Sequence, residues 1–403
     1  MTHKVRWIDA AFPIRSGCPN AVLDQRAPLD SIRPDAAANT GADVPRRGGE
    51  PHSFSLNMST TVETLTDQTR DAWQAYVTGS PAGTFYHSLA WHDALLAAYK
   101  HKPHYLIARR EGRVVGVLPM FYVKSWIAGR LLVSLPYSVY GGAIHDDPDA
   151  ATALLDEMKR LAERLDVRCV DLRSVEANLP DLPVVDRYAT FRKALPQRVQ
   201  DVLPSLPRKA RAAARAGRNK HGLTVDVDDA LLPVVWQLYT RSMRRLGSPN
   251  YAFGFFRALV EATPDAHLVS LVRYQGRPAA GLVTFLFGDT VLPYFSGCDE
   301  TLDRYGINNI LYLSLMEWAV EHGYGQFDFG RTRKLNRGAY DFKRHQGFEP
   351  EPLAYQIYVP PGQQAPELVP GKGKFALAQR VYRRLPLFVT RPLGAWLAGA
   401  IPG

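Results

Sequence analysis

Two blocks of this chain are similar enough to indicate an internal duplication. Their matching segments are LIARREGRVVGVLPMF (106–121) and VRCVDLRS (167–174) in the first block, and VSLVRYQGRPAAGLVTFLF (269–287) and GQFDFGRT (325–332) in the second. Gly112 and Gly276 are 164 residues apart. Asp171 and Asp328 are 157 residues apart, so the offset is nearly constant. Solenoid repeats have periods of about 20 to 50 residues. The longer period therefore predicts a tandem duplication of one whole α/β domain.

Length and composition agree with two globular domains. The chain has 403 residues, of which 46% are hydrophobic and 22% charged, which is enough for two ordinary cores. Cys18, Cys169 and Cys298 are widely spaced, which favours reduced thiols in a cytoplasmic protein over a disulfide frame or a metal site. The net charge of +10 allows an anionic partner such as nucleic acid, a nucleotide-sugar or a membrane surface.

Composition shifts along the chain predict five segments. They are a disordered extension (1–57), a first domain (58–200), a basic connector helix (201–222), a second domain (223–360) and a basic amphipathic tail (361–403). The extension lacks apolar periodicity, and Met58 is an alternative start. A regulatory tail is the other hypothesis for it. For the C-terminal tail, contact with a membrane interface and packing on the protein body both remain open. No stretch reaches the ~18 apolar residues that span a bilayer, and no signal-peptide pattern begins the chain.

Both domains show alternating helix and strand patterns with short turns, which predict an α/β or α+β fold with mixed sheets and flanking helices. Apolar runs on either side of Gly112 indicate a β-hairpin, followed by a helix at 150–165 and a strand at 167–173. The second domain repeats the plan. Its predicted helices are 229–246, 251–262 and 308–322, and its predicted strands are 267–274, 279–287, 290–296 and 326–329.

The turn Asp303-Arg304-Tyr305-Gly306 before the helix at 308 is one candidate binding site. Asn308 or Asn309 is expected to cap that helix. A glycine turn at a helix N-terminus offers free N–H groups to a phosphate or carboxylate. A plain capped helix is the alternative.

The strand that follows this helix carries the second candidate site. Asp328 and Gly330 lie at its C-terminal end, and Arg331 comes next. A carboxylate, a glycine and cations at such an end are a usual composition for an α/β site. An ion pair between Asp328 and a neighbouring arginine, without catalytic role, is equally open.

The connector has a basic stripe, because Arg208, Arg211, Arg215 and Arg218 recur at spacings of three, four and three and so share one helical face. Such a face suits tRNA phosphates or the diphosphate of a nucleotide-linked or lipid-linked precursor. A solvated surface remains the alternative. The aromatic residues of a single-strand binding surface are missing between the arginines.

The segment RYGINNILYLSLMEWAVEHGYGQFDFG, with YDFK and GFE after it, resembles the Fem family (FemA, FemB, FemX). It is especially similar to FemAB-like proteins associated with exosortase (PEP-CTERM) and exopolysaccharide systems. FYHSLAWHDAL and PRKARAAARAGRNKHGLTV match further family segments, in the family's order, over about 75–360. The resemblance implies two tandem acetyltransferase-like (GNAT) domains. It also implies transfer of an amino acid from aminoacyl-tRNA to an amine of a peptidoglycan precursor.

By this resemblance, Phe342 and Lys343 match the family's Phe-Lys pair beside the acceptor amine. Lys343 would stabilise the oxyanion, and Asp328 would orient the amine or take its proton. Residues 304–309 look like a degenerate acetyltransferase pyrophosphate loop in which Asn308 replaces the second glycine, which weighs against acyl-CoA. The expected substrate-binding and donor-binding residues are Arg304, Gly306, Asn308, Asn309, Arg331, Tyr294, Arg208, Arg211, Arg215 and Arg218.

Three functional hypotheses follow. The first is an acyl- or aminoacyl-transferase that forms an amide on an amine of a cell-envelope or exopolysaccharide precursor, by direct attack and without a covalent acyl-enzyme. The second is an acyl-CoA-dependent N-acyltransferase, and the third a non-catalytic precursor-binding protein. No permanently bound cofactor or metal is expected, because aminoacyl-tRNA or acyl-CoA would be a co-substrate. The expected partners are an anionic precursor, tRNA, and the inner face of the membrane through the tail.

Overall fold

The computed structural model describes residues 59–364 and 373–401, so the predicted disorder of 1–57 lies outside the described residues. The described part of the first half, from residue 59 onward, contains nine strands and three α-helices. They are β1 (Thr61–Thr64), α1 (Arg70–Gly79), α2 (Leu89–Ala98), β2 (Lys102–Pro103), β3 (Leu106–Arg110), β4 (Arg113–Leu118), β5 (Phe121–Ser125), β6 (Gly129–Val133), β7 (Ile144–His145), α3 (Pro148–Arg164), β8 (Cys169–Leu172) and β9 (Val184–Val185).

The rest of the described chain continues with the second half and a C-terminal helical pair. Its elements are β10 (Tyr188–Ala194), α4 (Val199–Ser205), α5 (Arg208–Arg215), β11 (Thr224–Val227), α6 (Leu232–Leu246), α7 (Phe253–Ala262), β12 (His267–Tyr274), β13 (Arg277–Phe287), β14 (Thr290–Cys298), α8 (Ile307–Glu321), β15 (Gln326–Asp328), β16 (Thr332–Arg333), α9 (Arg337–His345), β17 (Pro350–Pro352), β18 (Tyr355–Tyr358), α10 (Gly373–Arg384) and α11 (Leu387–Ala400).

The strands form three sheets flanked by helices, of which the first is antiparallel and the other two are mixed. One has the order β1-β3-β4-β7, a second β2-β5-β6-β8-β18-β9, and the third β11-β12-β13-β14-β15-β10-β16 with β17 beside β10. In each half one parallel pair stands at the centre of the sheet, β6 with β8 and β14 with β15. A helix connects the two strands of each pair, which is the usual crossover for parallel strands.

Each half supplies one strand to the sheet of the other. β10 follows the first half in sequence but pairs with β15, with Arg192 opposite Asp328. β18 follows the second half but pairs with β8, with Gln356 opposite Leu172. Strands therefore cross the domain limits placed at 200 and 360, and those limits stay predictions.

The internal repeat is visible in backbone detail. The turn between β3 and β4 has positive φ at Glu111 (51°) and Gly112 (77°), and the turn between β12 and β13 has nearly the same values at Gln275 (52°) and Gly276 (76°). In each hairpin the pairing register of the two strands shifts just before an arginine. This arginine is Arg109 in the first hairpin and Arg273 in the second. Each of these arginines also binds an acid on the neighbouring strand, Glu63 or Asp226. Turn, bulge and ion pair thus recur together, which supports the predicted duplication.

Most predicted helices and strands of both halves lie within two residues of the observed bounds. Two expectations were wrong. The connector is two helices and a π-helical turn (Ala216–Lys220), because Pro207 disfavours helical backbone at the residue before it. The N-cap of α8 is Gly306, with φ 76°, and not Asn308 or Asn309.

The cores are aromatic and tightly packed, and two facing glycines let α6 lie directly on the sheet that contains β13 and β14. Gly281 and Gly297 are opposite each other in β13 and β14. A Cβ on Gly297 would lie 2.3 Å from the backbone nitrogen of Tyr239 in α6. Cys169 is buried in the core. Within 59–364 and 373–401, the longest apolar helices are too short to cross a membrane.

Candidate active site

A cleft of about 860 Å³ lies between the two halves. Segments 81–87, 140–145 and 173–178 line it from the first half, and Gln326–Asp328 of β15 lines it from the second. The exchanged strand β10 contributes Arg192 and Lys193. Ligand sites occur preferentially at such interfaces between domains. Of the residues predicted as catalytic, Asp328 lies in this cleft.

Asp328 is a buried carboxylate held from several directions. It is 4% exposed. Its Oδ1 accepts hydrogen bonds from the backbone N–H of Gly330 (2.7 Å) and the hydroxyl of Thr190 (3.4 Å). Its Oδ2 accepts one from the hydroxyl of Tyr140 (2.9 Å). Burial raises the pKa of Asp328, although the Gly330 N–H and the Tyr140 hydroxyl oppose that rise. A carboxyl group with a raised pKa in a cleft is well suited to accept a proton.

The alternative assignment, an ion pair between Asp328 and an arginine, is not found among the described residues. Arg192 faces Asp328 across the β10–β15 pair. Its guanidinium instead binds Glu351, with a distance of 2.9 Å from Nε to Oε2. Asp328 therefore keeps hydrogen-bonded but unpaired oxygens in the cleft.

Lys343 on α9 holds the backbone that follows Asp328. Its Nζ donates to the carbonyls of Phe329 (2.8 Å), Gly330 (2.9 Å) and Arg331 (3.3 Å). Burial lowers the pKa of Lys343 to about 7, with the charge of Asp328 acting in the opposite direction. All three ammonium hydrogens thus have backbone acceptors, and the geometry favours a bracing function. The oxyanion function remains a prediction. Phe342 packs against Tyr312, with ring centroids 5.7 Å apart.

Arg331 lies among tyrosines and forms no ion pair with the described residues. Its guanidinium is 4.7 Å from the ring centroid of Tyr188 and 5.7 Å from that of Tyr355. It also donates to the Tyr355 hydroxyl (3.0 Å). Burial raises the pKa of Tyr251 and of Tyr355, and Arg331 and Arg173 both oppose that rise, so the two cations lie in one neighbourhood. Arg331 is partly exposed, and a carboxylate or phosphate is its natural partner.

The loop at 134–142 belongs to the first half, contacts the second half, and has a strained backbone. Leu135 (φ 56°) and Tyr137 (φ 65°) adopt left-handed conformations, which cost energy for residues other than glycine. The predicted donor-binding residue Tyr294 donates its hydroxyl hydrogen to the carbonyl of Tyr137. Arg173 donates to the carbonyls of Leu135 (3.1 Å) and Ser138 (3.2 Å). Strain that the surroundings hold in place is typical of functional sites, and this loop carries Tyr140 to Asp328.

The turn before α8 is acidic, and α5 covers its glycine. Asn308 donates to Asp303 (3.3 Å), and burial raises the pKa of Asp303. A Cβ on Gly306 would lie 2.8 Å from the carbonyl oxygen of Ala213 in α5. The guanidinium of Arg304 stacks on its own neighbour, Tyr305 (4.8 Å). Asn309 is partly exposed on the first turn of α8. A carboxylate and a covering helix make this turn a poor diphosphate site.

The predicted arginine stripe is shorter than expected. Arg208 and Arg215 are exposed on α5, and Arg211 is partly exposed, with its guanidinium donating to the carbonyl of Pro204 (3.2 Å). Arg218 lies in the π-helical turn, where the helical period changes, and it binds Glu317 of α8 (3.1 Å). The stripe begins near the cleft, because Lys193, which lines the cleft, donates to the carbonyl of Ser205 (3.3 Å).

Sequence reasoning missed the residues that complete the site. Tyr140 and Thr190 come from segments far from Asp328 in sequence. Two signals were present: the Gly141-Gly142 pair after an apolar run, and Arg173, which follows Asp171 much as Arg331 follows Asp328. The second signal shows that the repeat carries a pair of arginines as well as strands.

Comparison with known proteins finds a family match in the second half. Residues 205–344 match the acetyltransferase (GNAT) domain family. This segment is therefore similar to a GNAT acyltransferase domain. It includes the parallel pair β14–β15, the turn before α8 and Lys343. No curated protein sequence matches the chain significantly.

Solved structures extend the assignment to the whole fold. The crystal structure of FemX superimposes with a TM-score of 0.57 at 15% identity, covering 74% of this chain and 97% of FemX. A tandem GNAT protein from the clavulanic acid biosynthesis pathway has 14% identity and a TM-score of 0.49 over 75% of this chain and 98% of its own. L-PGS from Bacillus licheniformis has the same two values over 80% and 99%. The similarity to FemX, which covers 74% of this chain, confirms the predicted fold of two tandem GNAT-like domains.

Proposed function

We propose that this protein is an N-acyltransferase that moves an acyl or aminoacyl group onto an amine of an anionic cell-envelope or exopolysaccharide precursor. The observation that carries the proposal is the buried, unpaired carboxylate of Asp328 in the cleft between two GNAT-like halves. An amine must lose a proton when it attacks an ester or thioester carbonyl. A carboxylate with a raised pKa accepts that proton near neutral pH.

Tyr140 and Thr190 support this function by fixing the carboxylate. Their hydroxyl groups and the N–H of Gly330 bind the two oxygens of Asp328. The rotation of the carboxylate is therefore restricted before the amine arrives, which is the preorganisation that catalysis requires. Direct attack by the acceptor amine needs no covalent acyl-enzyme.

An anionic acceptor is favoured by the cations around the site. Arg331 has no carboxylate partner in the described chain, whereas the neighbouring Arg173 is fully buried, with its Nε 3.5 Å from Oδ2 of Asp171. Arg208, Arg211 and Arg215 extend the positive surface from the edge of the cleft. Each phosphate held by such a residue adds salt-dependent affinity. A diphosphate-linked precursor or the backbone of a tRNA fits this arrangement.

The acyl donor has two candidates, aminoacyl-tRNA and acyl-CoA. The turn before α8 resembles the pyrophosphate-binding loop of acetyltransferases. Asp303 lies on this turn, and its negative charge disfavours binding of the pyrophosphate of coenzyme A. This favours aminoacyl-tRNA. Acyl-CoA remains the second candidate, because the segment that matches the GNAT family includes the parallel pair β14–β15 and the turn before α8 that lies between these strands.

A transfer assay tests both donors. The full chain is incubated with diphosphate-linked amine acceptors and with either radiolabelled aminoacyl-tRNA or radiolabelled acyl-CoA, and label in the acceptor is measured. We expect transfer from one donor class and its loss in Asp328→Asn. If neither donor supports transfer while the precursor binds tightly, the protein is a binding protein and the proposal is wrong.

A further inference from the structure

The C-terminal helical pair leaves a large apolar surface uncovered. Both α10 and α11 pack on α6, and the buried hydroxyl of Tyr382 in α10 donates to the carbonyl of Thr390 in α11 (2.9 Å). The pair is therefore a folded part of the protein, in agreement with the hypothesis that the tail packs on the body. Five large apolar side chains nevertheless remain more than half exposed: Trp126 (65%), Leu377 (61%), Val381 (51%), Phe388 (77%) and Trp396 (60%).

Helical spacing places Leu377 and Val381 on one face of α10, and Phe388 and Trp396 on one face of α11. We call these four side chains and Trp126 the apolar face. Trp126, in the turn between β5 and β6, stacks on Trp396 of α11 with ring centroids 5.3 Å apart. A groove of about 420 Å³ lies between α10 and α11 and is lined by seven mostly aliphatic residues, Leu377, Ala378, Val381, Tyr382, Leu385, Leu393 and Leu397. Contiguous exposed apolar surface of this kind marks an interaction site.

The charge around the apolar face has a single sign. From Leu368 to Gly403 the sequence has no Asp or Glu and six Lys or Arg residues. Arg380 and Arg384 are exposed one turn apart on α10, beside Leu377 and Val381, and neither forms an ion pair with the described residues. Lys124 is exposed two residues before Trp126. The complementary partner is therefore negatively charged as well as apolar.

We propose that the apolar face docks on the surface of an anionic phospholipid bilayer. Tryptophan rings favour the boundary between headgroups and acyl chains, and Trp126, Phe388 and Trp396 would occupy it. Arg380 and Arg384 would contact the lipid phosphates. Helices with an apolar face and flanking cations bind membranes peripherally in this way. The proposal is independent of the reaction in the cleft.

Vesicle sedimentation of the full chain tests the proposal. We expect binding to vesicles that contain phosphatidylglycerol, weakening with salt, and little binding to phosphatidylcholine alone. Arg380→Gln with Arg384→Gln should lower the partition coefficient about 25-fold, since each cation contributes roughly fivefold. Phe388→Ser with Trp396→Ser should abolish binding. Leu335→Ser, which changes an equally exposed side chain on another surface (80% exposed), should leave binding unchanged.

Two further measurements separate a membrane from a protein partner. Brominated acyl chains should quench tryptophan fluorescence in the wild type, and the quenching should disappear in Trp126→Phe with Trp396→Phe. Melting temperatures should be unchanged in all variants, because the altered side chains are exposed. Absence of binding to phosphatidylglycerol vesicles at low salt overturns the proposal. A dimer that Phe388→Ser converts to a monomer, without vesicle binding, shows instead that the face joins two copies of the chain.

Discussion

Replacing Asp328 with asparagine separates catalysis from stability at this site. The side chain keeps its shape, and its Oδ1 still accepts the hydrogen bond from Gly330 N–H, which is 2.7 Å long in the wild type. The new amide takes the position of Oδ2, 2.9 Å from the Tyr140 hydroxyl, and that hydroxyl can turn its hydrogen toward Thr190. The hydrogen-bond pattern is therefore preserved, and only the ability to accept a proton is lost.

The expected loss follows from that single change. General base catalysis contributes about 10² to 10⁴ in rate, so Asp328→Asn should raise the activation free energy by about 3 to 5 kcal/mol. The free energy of unfolding should stay the same or rise at neutral pH, because the variant no longer buries a charge. Rates of label transfer and urea denaturation measure the two quantities. Glu349→Gln, which alters an exposed carboxylate of the same half, serves as the matched control.

The pH dependence gives the refuting result. Burial raises the pKa of Asp328 in the folded state, so its base form appears, and kcat/KM increases, as pH rises through that raised pKa. At pH values between the ordinary pKa of an aspartate and the raised pKa of folded Asp328, folding is accompanied by the uptake of a proton. The stability contribution of the group is therefore lost as pH rises through this window. Asp328→Asn should lack both changes. A variant that retains near-normal kcat and the same acidic limb would show that Asp328 is not the base.

Three other predictions concern the structure around the site. Gly297→Ala should destabilise the protein by about 3 kcal/mol or more in urea denaturation, because its Cβ would meet backbone atoms of α6 at 2.3 Å; Gly79→Ala, with nothing within 4 Å, is the control, and equal stabilities would contradict the packing. Lys343→Met should lower the melting temperature together with kcat, because three carbonyls lose their donor; loss of kcat alone would instead support the oxyanion function. The double variant Arg211→Glu with Arg215→Glu should weaken binding of tRNA or of the diphosphate precursor and reduce the salt dependence of that binding. Its melting temperature should change little. If the affinity for both ligands is unchanged, the arginine stripe is only a solvated surface.

Local signals predicted the fold well because they lie within single hairpins and helices. The turns at Gly112 and Gly276 were visible from a glycine between two apolar runs, and both have the positive φ that such turns require. The bounds of the strands followed from apolar runs of the right length. In these elements the residues that decide the structure are neighbours in sequence.

The candidate site depends on contacts between distant segments and was predicted only in part. Asp328 was recognised from its own strand, but the Tyr140 hydroxyl that binds it comes from 188 residues earlier. Arg218 shared the spacing of the stripe, yet it binds Glu317 on α8, 99 residues later. Periodicity shows which residues share a face, whereas the partner of that face is decided by tertiary packing.

The reciprocal exchange of β10 and β18 limits how this protein can move and fold. A hinge that opened the cleft without breaking a strand pairing would have to bend at two short links, residues 186–187 before β10 and residues 353–354 before β18. Any opening of the cleft is therefore a rotation of one half against the other about these two links. Neither half completes its sheet without a strand encoded beyond its own end. Separately expressed halves should stay incomplete, and during synthesis the sheet that contains β8 is completed only after β18, which follows the whole second half, has been made.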